Sequence, residues 1–175
     1  MKIIIYILIL FPIIAFAGDN PDCNIMKETR TFFSNDKVKD ILSVNIKGQP
    51  CYKAELLIQI TDIHGKILYK YSSQFKPHIA IQWDDPTLDK DANKFAEQVI
   101  RNDNFSSTKA LPPWMPKDEY YDEYDQEIMV SKSYYEKLCK KNWVTFSHMN
   151  HYEGWQVIVF DREQQKAVLV SKGGL

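Results

Sequence analysis

Apolar and polar positions alternate most clearly between residues 52 and 73. Tyr52, Ala54, Leu56, Ile58 and Ile60 fall on one side, while Lys53, Glu55, Gln59 and Thr61 fall on the other. Only Leu57 breaks the pattern. A period of two marks a strand with one buried and one solvated face. Asp62-Ile63-His64-Gly65 reads as a turn, and Ile67, Tyr69 and Tyr71 carry the returning strand. Residues 52–73 are therefore expected to form a β-hairpin. Val38, Leu42, Val44 and Ile46 suggest a strand over 38–46, stopped by Gly48-Gln49-Pro50. The lead at 18–37 shows no clean period.

The period changes after Trp83. Leu88, Ala92, Phe95, Ala96, Val99 and Ile100 make one apolar stripe at helical spacing, with Asp85-Pro86 as the start signal. A helix over 86–101 follows, and its stripe needs an apolar face such as the hairpin offers. Residues 102–117, with prolines at 112, 113 and 116, read as loop. Ser133 with Glu136 has the spacing of a capping box and predicts a helix over 133–141. Its apolar side is Tyr135, Leu138 and Cys139.

Three β-rich runs follow, 143–148, 155–160 and 167–170, joined by short connections. They predict an antiparallel meander over 143–171. The expected class is α+β, with about six antiparallel strands as one curved sheet or partial barrel and at least two helices.

The two ends of the chain differ in kind. Met1-Lys2 is followed by an uncharged run from Ile3 to Ala17, closing on Ala15-Phe16-Ala17 before the polar Gly18-Asp19-Asn20-Pro21. Fifteen apolar residues fall short of the roughly 20 that span a bilayer. The segment has the parts of a signal peptide, with cleavage expected after Ala17. Residues 18–175 are then one domain of 158 residues (175 less 17). Asn20-Pro21-Asp22 before Cys23 lacks the small and aliphatic residues of a lipoprotein signal, so no permanent membrane anchor is expected. The chain is expected to be exported: periplasmic from a Gram-negative source, otherwise secreted.

Losing Lys2 leaves 21 basic against 23 acidic residues, a formal charge of −2. That balance gives no electrostatic reason for a nucleic-acid partner. Three cysteines, Cys23, Cys51 and Cys139, imply one disulfide and one spare thiol. A Cys23–Cys51 bond would tie down the lead, leaving Cys139 on the apolar side of its helix. No pair has the C-x-x-C spacing of a zinc ribbon or redox centre.

The most unusual chemistry lies at Asp118, Glu119, Tyr120, Tyr121, Asp122, Glu123, Tyr124, Asp125, Gln126 and Glu127: six acids, three tyrosines and no cation. Carboxylates steer and pair with basic groups, and tyrosine rings add contact area at low entropy cost. The segment, with neighbouring Trp114, is the candidate surface for a basic protein partner. Such a segment also serves simply as a solvated, solubilising loop.

Weaker candidates remain. His148, His151 and Glu153 would suit a metal only if the turn brought them together. Trp114 is the tryptophan best placed to stack on a sugar, since Trp143 and Trp155 open predicted strands. His64 and His78 stand isolated. No G-x-S-x-G, S-x-x-K, H-E-x-x-H or glycine-rich phosphate loop occurs, so no catalytic residue is assigned and no cofactor is expected. Three functions stay open: an exported binding protein acting as an inhibitor or immunity protein, a cell-envelope sugar- or metal-binding module, and a hydrolase with a dispersed site.

Overall fold

A computed structural model describes residues 22–78, 87–116 and 126–174. The class is α+β: two helices and two antiparallel sheets, which do not close into a barrel. The first sheet is a meander, β1 (Cys23–Thr31), β2 (Asp40–Gly48), β3 (Glu55–Thr61) and β4 (Ile67–Gln74), in the order β1-β2-β3-β4. The second contains β5 (Phe105–Ser107), β6 (Gln126–Ile128), β7 (Val144–His151), β8 (Gly154–Asp161) and β9 (Lys166–Gly173), in the order β5-β7-β8-β9-β6. The helices are α1 (Leu88–Val99) and α2 (Lys132–Lys140).

The hairpin and the meander form as their alternation predicts, except that Tyr52 and Lys53 lie in a 3-10 turn and β3 begins only at Glu55. Leu56, Ile58 and Ile60 of β3 lie opposite Ser73, Tyr71 and Tyr69 of β4 and beside Ile46, Val44 and Leu42 of β2. All six aliphatic side chains are fully buried, each contributing roughly 1.5–3 kcal/mol. Gly65 closes the hairpin with φ +81°, a conformation that L side chains rarely adopt. The Asp62 carboxylate accepts from the His64 and Lys66 amides at 2.8 and 2.9 Å, fixing the same turn.

Several expectations need correction. Among the described residues the strands number nine rather than about six, and they make two sheets. The lead without a visible period contains β1, an edge strand whose inward set (Cys23, Ile25, Lys27, Thr29, Thr31) mixes apolar and polar residues. Val38 is exposed rather than part of the inner face; Asp40 takes that place. This carboxylate is buried because it accepts from the Phe33 and Ser34 amides and the Ser34 hydroxyl, at 3.2, 2.7 and 3.0 Å. The supposed loop at 102–117 includes β5, paired with β7, and two single-turn 3-10 helices.

Both helices begin one position or more from their expected caps. Asp85-Pro86 lies outside the described residues, and Thr87 flanks the first turn of α1. Asn104 closes its other end, donating from Nδ2 to the Gln98 and Val99 carbonyls at 2.6 and 2.9 Å. Ser131, not Ser133, is the residue before α2, so the Ser133/Glu136 spacing lies inside the helix.

The apolar stripe of α1 packs on the β1–β2 half of the first sheet, while Phe146, Ile158 and Phe160 of the second sheet share the same core. On the opposite face of the second sheet, Tyr135 and Leu138 of α2 meet Val159 and Val170. The order of layers is therefore first sheet, second sheet, α2, with α1 beside the second sheet. Among the described residues, no helix is long and apolar enough to cross a membrane.

Cys23 and Cys51 form the expected disulfide, linking the start of β1 to the short 3-10 turn before β3. Gly48 permits that approach: a Cβ there would sit 2.3 Å from Ala54 Cα. Cys139 is free and half-buried. The bond closes a loop with a sequence separation of 28, worth about 3–4 kcal/mol by the chain-entropy relation. Replacing Cys23 and Cys51 together by Ala should lower the unfolding free energy by about 2–4 kcal/mol. Urea denaturation checks this, and an unchanged midpoint would show that the staple adds nothing.

Candidate functional site

The seam between the two sheets is not purely aliphatic. Tyr69, Tyr71 and Ser73 point inward from β4, His78 follows in a 3-10 turn, and Phe146 and His148 point inward from β7. Gln156 on β8 lies opposite His148. The rings make a chain across four elements, α1, the 3-10 turn, β4 and β7. Phe95 of α1 lies 5.5 Å from His78, His78 is 6.0 Å from Tyr71, and Tyr71 is 4.9 Å from His148. Tyr69 and Phe146 then flank His148 at 5.8 and 5.3 Å.

Hydrogen bonds set the proton positions in this cluster. His148 Nδ1 is 2.8 Å from the Met149 carbonyl, which only accepts, so Nδ1 carries the proton. Nε2 is then an acceptor, receiving the Tyr69 hydroxyl at 2.7 Å and the Gln156 amide at 2.9 Å. The same Gln156 amide donates to the Tyr69 oxygen at 2.9 Å. Tyr71 donates to the Asn150 carbonyl at 2.9 Å, a second tie from β4 to β7. In the other ring, His78 Nε2 lies 2.7 Å from Ser73 Oγ, whose own proton goes to the Gln74 carbonyl. His78 Nδ1 is buried without a partner.

Both histidines are held neutral. His78 and His148 are 2% and 4% exposed. Desolvation, aided by the charge of His151, brings His78 down to about 4. For His148, desolvation is again the main cause and His78 adds to it. The Met149 carbonyl opposes both, and the result is about 4. Burial pushes the Tyr69 phenol upward, which keeps it a donor.

As chemistry, the cluster is closed. Ser73 and His78 have the separation of a nucleophile and base, yet His78 is buried, Ser73 is half-buried, and no described carboxylate hydrogen-bonds to either histidine. His148 has both ring nitrogens spent. The metal set proposed from sequence does not assemble, because His148 points into the seam while His151 packs against Gly154. Among the described residues, no group of three His, Cys, Asp or Glu is placed to hold a metal ion.

The partner-binding candidates divide. Asp118, Glu119, Tyr120, Tyr121, Asp122, Glu123, Tyr124 and Asp125 lie outside the described residues. Both flanks of that segment are described and anchored. Trp114 is half-buried against the α2 cluster with the Lys132 ammonium 5.0 Å above its ring, so part of its surface is already used. Tyr135 of α2 donates to the Pro112 carbonyl at 2.7 Å. Gln126 and Glu127 belong to β6, and the Glu127 carboxylate pairs with Lys172 of β9 at 3.1 Å.

Tyr69, Tyr71, Ser73, His78 and Gln156 share no local motif in the sequence that marks them as a group. One signal was present: Val144, Phe146 and His148 alternate, which places His148 on the inward side of its strand. The meeting with Tyr69, 79 residues away, left no local trace.

Acidification should act on this seam first. Unfolded histidine titrates near 6.5 and the folded rings near 4, so the unfolded chain binds more protons between these values. Stability is therefore complete above about pH 6.5 and falls as the pH drops toward 4, by on the order of 3 kcal/mol per ring. Urea midpoints at pH 7 and pH 4.5 measure the fall, and His78→Gln should flatten it. A midpoint independent of pH across this window would contradict the neutral seam.

Compared with known proteins, the chain matches no family model, no curated protein and no solved structure.

Proposed function

We propose that this is an exported binding protein that captures a basic protein partner through the acidic, tyrosine-rich segment 118–127. The observation carrying the proposal is the charge itself: six carboxylates in ten residues, with no cation among them, on a chain of net charge −1. The structure adds support at the flanks. One side leaves a loop tied to α2 through Pro112 and Trp114, and the other enters β6, which is paired to β9. A binding segment held at both ends loses less entropy on engagement than a free tail.

Export rests on the signal-like residues 1–17, and a Cys23–Cys51 disulfide is in keeping with an oxidising compartment. In a cell envelope the partner class is a cationic cell-wall hydrolase or a basic incoming toxin, which makes the protein an inhibitor or immunity protein. Carboxylates then supply encounter rate and register, and tyrosine rings supply contact with the partner's Arg and Lys.

Five of the acids, Asp118, Glu119, Asp122, Glu123 and Asp125, can be replaced together by Asn and Gln. Glu127 stays, because it pairs with Lys172. Binding to a cationic muramidase should weaken by at least about tenfold, and wild-type binding should fall as salt shortens the Debye length. Biolayer interferometry at two ionic strengths reads both. Equal binding by variant and wild type would remove the segment from the function.

A further inference from the structure

A groove runs between β4 and β9, where the two sheets come side by side without pairing. Its floor is Leu68, Ile158, Phe160, Ala167 and Leu169, and Ile67 stands 52% exposed at its rim. Lys66 and Lys70 line the β4 side and Lys166 the β9 side, all three exposed, and among the described residues no carboxylate lines the groove. None of these ammonium groups is in an ion pair with another described residue. Asp62 in the adjoining turn lowers its own titration partly through Lys66, but its carboxylate is occupied by two backbone amides.

The β4 backbone faces this groove with open hydrogen-bonding groups. Phe75 donates its amide to Ala54 beside β3. By the alternation of an antiparallel ladder, Ser73 and Tyr71 face β3 too, while Lys70 in the groove and Ser72 beyond it turn their N–H and C=O outward; the Gln74 carbonyl already accepts from the Ser73 hydroxyl. Among the described residues, no strand pairs with that edge. β9 is covered by β6 over Ser171–Gly173 and by the Met129 amide at the Val170 carbonyl, and among the described residues no strand pairs with its Lys166 end on that side.

We propose that this groove binds an extended acidic peptide segment of a partner protein, added as a strand along β4. Alternate apolar side chains of the peptide would lie on the Leu68–Phe160 floor, and the intervening carboxylates would stand beside Lys70 and Lys166. Opposite charges placed across adjacent strands attract, and like charges repel. The same lysines keep two β4 edges of this protein from pairing with each other, so the groove rejects its own copy while accepting an anionic strand. None of the groove's lining residues belongs to segment 118–127, and the groove takes a partner of opposite charge.

The test uses the folded protein and a labelled eight-residue peptide of alternating Val and Glu, followed by fluorescence anisotropy. Saturable binding is expected, reduced at least about tenfold by Lys66→Gln/Lys70→Gln/Lys166→Gln and weakened by salt. N-methylation of alternate peptide amides should reduce it comparably, since strand addition needs those donors. The corresponding Val–Lys peptide should not bind. Absence of binding, equal binding of the Val–Lys peptide, or indifference to N-methylation would each overturn the proposal.

Discussion

The whole structure depends on covering the inner face of the first sheet. Leu42, Val44, Ile46, Leu56, Ile58 and Ile60 form an aliphatic surface that two strands alone could not keep from water. α1 covers its β1–β2 side, and the second sheet covers the side toward β4. That second contact is where the fold departs from a plain hydrophobic sandwich. Tyr69 and Tyr71 bring hydroxyl groups into the seam, and buried hydroxyls need partners. His148, Gln156 and the Asn150 carbonyl provide them. The cost of burying these groups is offset only while His148 is neutral and correctly protonated. A single tautomer thus sits at the junction of both sheets.

That constraint explains why much of the fold was legible in the sequence and the seam was not. Alternation at 52–60 and the stripe from Leu88 to Ile100 report which way each side chain faces, since burial selects for it. The hairpin, α1, α2 and the last three strands follow from such local periods. β1 escaped notice because an edge strand half-open to solvent keeps Lys27, Thr29 and Thr31 on its inward side. β5 and β6 are three residues each, too short to show a period. His78 looked isolated because Ser73, Phe95 and Tyr71 surround it only after the first sheet and α1 come together. Of the candidate site, charge and aromatic content could be read directly, but not which groups were already engaged. Glu127 belongs to Lys172, and Trp114 is shared with Lys132.

A closed polar core lies beneath a chemically uneven surface. The histidine cluster has no ring nitrogen in view of solvent to offer a substrate, which moves the functional question outward. β9 relates two features there. Its Gly173 end pairs with β6, where the acidic segment ends, and its Lys166 end borders the lysine-lined groove. The two ends of one strand thus adjoin sequence features of opposite sign.

The state of the His148 ring tests the central claim most directly. Nitrogen-15 and proton correlation spectra of the imidazole at pH 7 distinguish the two neutral tautomers from the imidazolium. A protonated Nδ1 and an unprotonated Nε2 that receives the Tyr69 proton are expected. A charged ring, or a proton on Nε2 with none on Nδ1, would contradict the claim.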